Sequence, residues 1–387
     1  MAHILYVTEG YCTHDRHFVA EMTKVGHEIW VLPCSGAAIR DDVPLPEGAI
    51  HRLPPLSEQN LLPGTIGWLT ATLRFARVAK RISPDLIHAG PVQTSGFFAA
   101  VSGFHPLVIM SWGSDVLATP HKSVILKRIT QFALKRADFA IADCEIVRRR
   151  ISELGQMQAN QIAMLTWGVD LNYFRPKTRV LGLREKWGWT GCKILISTRD
   201  FEPIHGTNIL LKAFGRAHAA RADIRLIMLG DGSLRKAAEE FVAANQLKAK
   251  VRFVGRVPEE LLPDYFAESD LYVSATYCDG SSVSLLQAMA CGLPAIVARG
   301  NGNNEWVTDG WNGWLYPAGD AEALSAKVLE ALLDDAGRAR AGIANIRIVS
   351  ERADWMRNFT CVAKAYDQLL STKRPLGREQ HAQLQNW

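Results

Sequence analysis

The 387-residue sequence has no run of ~20 unbroken apolar residues, so a membrane-spanning helix is not expected. Its amino terminus, MAHILYVTEG, lacks both a cationic lead and a small-residue cleavage site. It reads as a first strand rather than a secretory signal. The seven cysteines (12, 34, 144, 192, 278, 291 and 361) show no Cys-x-x-Cys and no metal-ligand spacing. Neither a disulfide framework nor a zinc site is expected; free thiols in a reducing cytosol are. LGDGSL at 229–234 stops short of Gly-x-Gly-x-x-Gly, which argues against a dinucleotide-dependent dehydrogenase. There is no Asp-x-Asp, so no metal held by such a pair is expected, and nothing resembles a nucleic-acid module.

What is present is the composition of a globular protein, 48% hydrophobic and 21% charged, and too long for one ordinary core. The net charge of +5 is unevenly spread: between Arg74 and Arg150, twelve basic residues face five acidic ones, a local +7. A solvated helix face accounts for that excess; peripheral contact with an anionic membrane is the other reading.

Short apolar runs alternate with helical patterns along the whole chain, the signature of parallel sheets covered by helices. HILYVT, EIWVLP, DLIHAG, LVIMSW and FAIAD form a first strand series. KILIST, IRLIMLG, VRFVG, LYVSA and AIVA form a second. Helices are expected near 16–25, 65–82, 122–136 and 145–155. Two doubly wound units are therefore expected, with LNYFRPKTRVLG and its Pro176 as hinge and 373–387 as a loosely held tail. Open parallel sheets bind ligands at the carboxyl ends of their strands, so the loops after strands are where function is sought.

Residues 277–294, YCDGSSVSLLQAMACGLP, come after one such strand. Gly280 permits a tight turn, Ser281 or Ser282 suits an amino-terminal cap, and Gly292 with Pro294 ends the helix. Free N–H groups with little side-chain bulk at that helix start suit an anion such as phosphate. Asp279 and Gln287 would then accept hydrogen bonds from neutral hydroxyls. On spacing alone, a plain turn residue and a satisfied polar side chain explain the two equally well.

From LGDGSLRKAAEE through NGWLYPAGDAEALSAKVLEALLDD, the chain resembles the carboxyl-terminal half of family 4 glycosyltransferases. KVGHEIWVLP, SPDLIHAG, LVIMSWGSD, KRADFAIADCEIVRR and WGVDLNYFRP keep the order of the family's first half. The resemblance implies a GT-B fold, two Rossmann-like domains facing across a cleft. An acceptor-binding domain would span 1–174 and a nucleotide-sugar-binding domain 175–351, with a helix at 352–372 returning to the first.

The family's two acidic residues, eight apart, fall on Asp279 and Gln287, the first on donor-sugar hydroxyls and the second on the ribose. Its phosphate-binding arginine and lysine fall on Arg199 and His205. The resemblance places Gly280, Ser281, Ser282, Val283, Arg256, Gly302 and Glu305 around the donor, and Asp115 where it orients an acceptor hydroxyl. Trp112 stands where the family often has histidine, and Trp167 where it has asparagine; either a core anchor or a sugar-facing wall fits them.

The resemblance further implies a retaining, metal-independent transfer from a UDP- or GDP-sugar to a saccharide, lipid-linked or small-molecule acceptor, without a separate cofactor, in the cytoplasm or at its membrane. Arg199, His205 and the helix start after Gly280 would stabilise the leaving diphosphate. The substitutions at Trp112, His205 and Gln287 keep open a degenerate relative that binds without turnover.

Overall fold

The computed structural model describes residues 1–40, 43–48, 50–177, 181–300 and 302–371. The tail expected over 373–387 lies outside the described residues, as do Thr178, Arg179 and Val180 of the expected hinge.

Two parallel sheets organise the chain. The first contains β1 (His3–Thr8), β2 (Glu28–Pro33), β3 (Ile50–Arg52), β4 (Leu86–Gly90), β5 (Leu107–Met110), β6 (Phe139–Ala142) and β7 (Ile162–Met164) in the order 3-2-1-4-5-6-7. The second contains β8 (Lys193–Ser197), β9 (Ile224–Leu229), β10 (Val251–Gly255), β11 (Leu271–Ser274), β12 (Ala295–Arg299) and β13 (Gly313–Pro317) in the order 10-9-8-11-12-13. In both, the order reverses beside the strand that opens the sheet, and there the loops of β1 and β4, or of β8 and β11, diverge.

All ten expected strands form. β3, β7 and β13 were not anticipated. The first two are three-residue strands, too short for a hydrophobic pattern, and β13 (GWLYP) is masked by the turn residues before it. The expected helices form over Thr13–Lys24, Ile66–Ile82, Val124–Arg136 and Glu145–Gly155.

The chain forms two compact units. One is built from Met1–Met110, Phe132–Ala140 and the stretch from Thr360 onward. At its centre the buried His88 ring stacks on Tyr6 (5.1 Å), approaches Phe18 (4.8 Å) and hydrogen-bonds the Tyr366 hydroxyl through Nδ1. Burial holds this imidazole neutral, its pKa lowered to about 3.

The other unit comprises Ser111–Gln131 and Ile141–Phe359. Its sheet shows the two-residue alternation of side chains. Leu195, Leu226, Met228, Val273 and Ile296 pack with the Thr207–Ala220 and Ala321–Leu333 helices on one face. Ile194, Ile196, Ile227, Tyr272 and Val297 pack with the Val283–Ala290 helix on the other. The last helix, Trp355–Ser371, gives Trp355 and Phe359 to this unit and Tyr366 to the first.

Candidate functional site

The site grows from the loops after β8 and β11, which are neighbours in the second sheet. The first carries Arg199, a 3-10 turn over Pro203–His205, and Gly206, where the Thr207–Ala220 helix begins. Gly206 has φ +63°, and a Cβ there would lie 2.2 Å from the carbonyl oxygen of Ala275. Only glycine lets this loop press onto the backbone leaving β11.

Arg199 is the hub. Its Nη1 donates to the hydroxyls of Ser282 (3.0 Å) and Ser284 (3.1 Å). Its Nη2 lies 3.0 Å from His205 Nδ1 and 2.9 Å from Asp279 Oδ2. Ser284 is held in turn by the Tyr272 hydroxyl at 2.9 Å. Burial pushes the Asp279 carboxyl above the usual carboxylate range, and the Arg199 guanidinium opposes that shift. Burial and the same guanidinium lower His205 to about 3. The ring is neutral, and Nδ1 is the acceptor for Arg199. His205 is therefore a support for the guanidinium rather than a second cation, because a protonated ring would face Arg199 at hydrogen-bond distance.

Ser282 occupies the cap position of the Val283–Ala290 helix, yet its side chain makes no capping bond, since its hydroxyl accepts from Arg199 instead. One residue earlier the expected free amide is taken. The Ser281 N–H donates to Asp143 Oδ2 at 2.8 Å, and the Ser281 hydroxyl donates to the Asp143 carbonyl at 2.8 Å. Trp306 Nε1 donates to that same hydroxyl at 3.1 Å. Asp143 is buried, which raises its carboxyl to about 7. The Ser281 amide works against the shift and the nearby Asp279 charge adds to it. The approach needs Gly280, whose Cβ would fall 2.0 Å from Asp143 Oδ2. Gly113 and Gly302 complete the close packing: their Cβ atoms would lie 2.6 Å from Gly280 N and 2.4 Å from Gly280 O.

Other expected site residues have different partners. Glu305 accepts from the backbone amides of Glu145 (3.0 Å) and Ile146 (3.1 Å), and so sits on the amino terminus of the Glu145–Gly155 helix. Asp115 accepts from the Ser111 hydroxyl (2.6 Å) and the Trp112 amide (3.0 Å), fixing its own loop. Gln287 is buried and donates through Nε2 to Glu259 Oε1 at 2.9 Å. Arg256, in the loop after β10, lies 3.4 Å from Asp200, the residue that follows Arg199. Val283 opens its helix beside Ser282, and the Gly302 N–H donates to the Asp279 carbonyl at 3.1 Å. Trp112, Trp167 and Trp355 form a ring series with centroids 6.1 and 6.0 Å apart; Trp167 and Trp355 are buried and Trp112 is half-buried.

The structure thus brings together Arg199, His205, Asp279, Gly280, Ser281 and Ser282. Glu305, Gln287, Asp115 and Arg256 are held by partners of their own. Asp143 was missed by sequence reasoning. The signal that could have found it was its position at the carboxyl end of β6, where this class of sheet collects functional residues. Among the described residues, no helix is long and apolar enough to cross a membrane.

Comparison with known proteins fits this geometry. The model for glycosyl transferases group 1 matches residues 183–348, and that for glycosyl transferase 4-like proteins matches residues 3–143. A GDP-mannose-dependent alpha-(1-6)-phosphatidylinositol monomannoside mannosyltransferase of Mycolicibacterium smegmatis is 24% identical over 79% of this chain and 83% of its own. An N-acetyl-alpha-D-glucosaminyl L-malate synthase of Bacillus anthracis is 23% identical over 81% of this chain and 82% of its own. The crystal structure of Anabaena Alr3699/HepE in complex with UDP and glucose superimposes with a TM-score of 0.77 at 20% identity, covering 95% of this chain and 100% of that one. With both halves matched in order and both sheets in the GT-B arrangement, the chain belongs to the family 4 glycosyltransferases, GT-B enzymes that use nucleotide sugars.

Proposed function

We propose that the protein moves a sugar from a UDP- or GDP-sugar to an acceptor hydroxyl with retention of anomeric configuration. The observation that carries this reading is the Arg199 fork, aimed by Ser282, Ser284, His205 and Asp279 at the start of the Val283–Ala290 helix. A guanidinium fork matches two phosphate oxygens, and a helix amino terminus offers N–H groups and a favourable dipole to an anion. In the proposed reaction the bond from the anomeric carbon to the diphosphate breaks as charge builds on the phosphate oxygens. The acceptor oxygen bonds to the same face, and its proton passes to the leaving phosphate. Preorganised donors aimed at that developing charge lower the barrier. No step here uses a metal.

The names of the relatives and neighbours supply the donor class: one is GDP-mannose-dependent and another is seen with UDP and glucose. The acceptor stays at the level of a saccharide, lipid-linked or small-molecule hydroxyl. The degenerate reading keeps one supporting observation, the Asp143 carboxylate on the Ser281 amide, which a donor phosphate would meet. The test is turnover. The protein is incubated with UDP- and GDP-sugars and pooled acceptors; release of nucleoside diphosphate with an α-linked product from an α-linked donor supports the proposal. Thermal stabilisation by nucleotide with no product under any pairing supports the degenerate reading, and an inverted product refutes the retaining assignment.

A further inference from the structure

The Ile66–Ile82 helix is apolar on two opposite sides. Ala71, Phe75, Ala79 and Ile82, spaced at i, i+4, i+8 and i+11, are buried beneath it. On the outward side Ile66 is 83% exposed, Leu69 60% and Leu73 51%, preceded by Leu62 at 66%. These three helix positions, at i, i+3 and i+7, make one stripe where an ordinary solvated helix places polar residues. Farther along, the exposed side carries Arg74, Arg77, Lys80 and Arg81, and the 17-residue helix has no acidic residue at all.

On the buried side of the same helix, Trp68 stacks on Phe97 (4.5 Å) and Phe97 meets the ring of Phe132 (5.6 Å), so the outward stripe stands on a packed aromatic base. Single exposed aliphatic residues need no explanation, but a contiguous set does. Protein interfaces deplete charge at their apolar centres, whereas here four cations come after three aliphatic residues on one helix. Aliphatic side chains able to enter the acyl boundary, followed by cations level with the headgroups, are the chemistry of a helix lying in a membrane surface.

We propose that the outward face of the Ile66–Ile82 helix docks the protein on an anionic lipid bilayer. The docking does not rest on the transferase reading.

Flotation of the full-length protein with vesicles tests it. Phosphatidylcholine vesicles enriched in phosphatidylglycerol are expected to carry the protein, phosphatidylcholine alone far less, and added salt to release it. Arg77→Gln with Lys80→Gln should weaken binding to the anionic vesicles by roughly thirtyfold, from the usual surface attraction of two cations. Leu69→Ser with Leu73→Ser should abolish flotation while leaving the unfolding midpoint unchanged, since both side chains are exposed. Absence of flotation with anionic vesicles overturns the proposal, as does equal flotation by the wild type and both double variants. So does concentration-dependent self-association that Leu69→Ser with Leu73→Ser removes, which would assign the face to a second copy.

Discussion

Asp143→Asn isolates the least ordinary group near the site. Burial pushes the wild-type carboxyl up to about 7 from an ordinary 3.8, so the folded protein binds the proton more tightly than the unfolded chain. For this group the sign is therefore opposite to that of a salt-bridged carboxylate. Stability is greatest below the unfolded value near 4, falls as pH rises, and levels off above about 7. The rise from 3.8 to about 7 corresponds to about 4 kcal/mol lost across that window, at 1.36 kcal/mol for each tenfold change in proton affinity. Asparagine cannot ionise, and its carbonyl still accepts the Ser281 N–H. The variant should match the wild type near pH 4 and exceed it by about 4 kcal/mol near pH 8. Urea unfolding followed by tryptophan fluorescence measures this, with midpoints compared at matched pH. A stability difference that does not change with pH would show that Asp143 ionises normally, and the burial argument would fail with it.

Arg199→Ala should lower turnover by well over tenfold, since losing one preorganised donor typically costs ~2.7–4 kcal/mol; near-normal rates with a working donor–acceptor pair would move the phosphate site elsewhere. Gln287→Glu restores the family's acid, but its carboxylate would meet Glu259 Oε1, now 2.9 Å from Gln287 Nε2. It should lower the urea midpoint, and adding Glu259→Gln should recover it; a single variant as stable as wild type would show that the pair does not face inward. His205 has its pKa lowered to about 3, so the unfolded chain takes up a proton that the folded ring refuses, and stability should fall as pH drops from 6.5 toward 3. His205→Asn should flatten that fall, and pH-dependent unfolding of the two proteins would detect it. Gly280→Ala would drive a methyl to 2.0 Å from Asp143 Oδ2 and should destabilise strongly, whereas Gly280→Ala with Asp143→Gly should recover much of the loss.

Parallel strands buried on both faces are largely apolar runs, so β1, β4, β8 and β9 were legible from the order of residues along the chain. β3 and β7 were not, because a three-residue strand takes its conformation from the neighbour it pairs with. The same division runs through the site. Arg199, Asp279 and Ser282 lie on two loops whose positions after strands could be read along the chain, and the sheet order makes those loops adjacent. The partners that decide what each group can do are remote in sequence: Asp143 lies 138 residues from Ser281, and Glu305 lies 160 from Glu145. No local periodicity encodes such pairs. His205 illustrates the consequence. Its alignment with a family lysine suggested a cation, but the charge it carries is decided by Arg199 and by burial.

Asp143 and Glu305 share one physical role. Asp143 holds the amide just before the Val283–Ala290 helix, and Glu305 holds the first two amides of the Glu145–Gly155 helix. Each sets a carboxyl group against backbone N–H groups at or just before a helix start, where such donors lack a helical partner. A donor phosphate entering beside Ser281 therefore meets a group that already satisfies the amide, and what it meets depends on pH. Above about 7 the group is a carboxylate that repels phosphate; below, it is a neutral acid that can donate a hydrogen bond to it. Donor affinity of the wild type should accordingly weaken as pH rises through 7, whereas Asp143→Asn should show no such decline. Titration calorimetry with UDP and GDP at several pH values separates the two cases, and a decline of equal size in both proteins would place the phosphates away from Ser281.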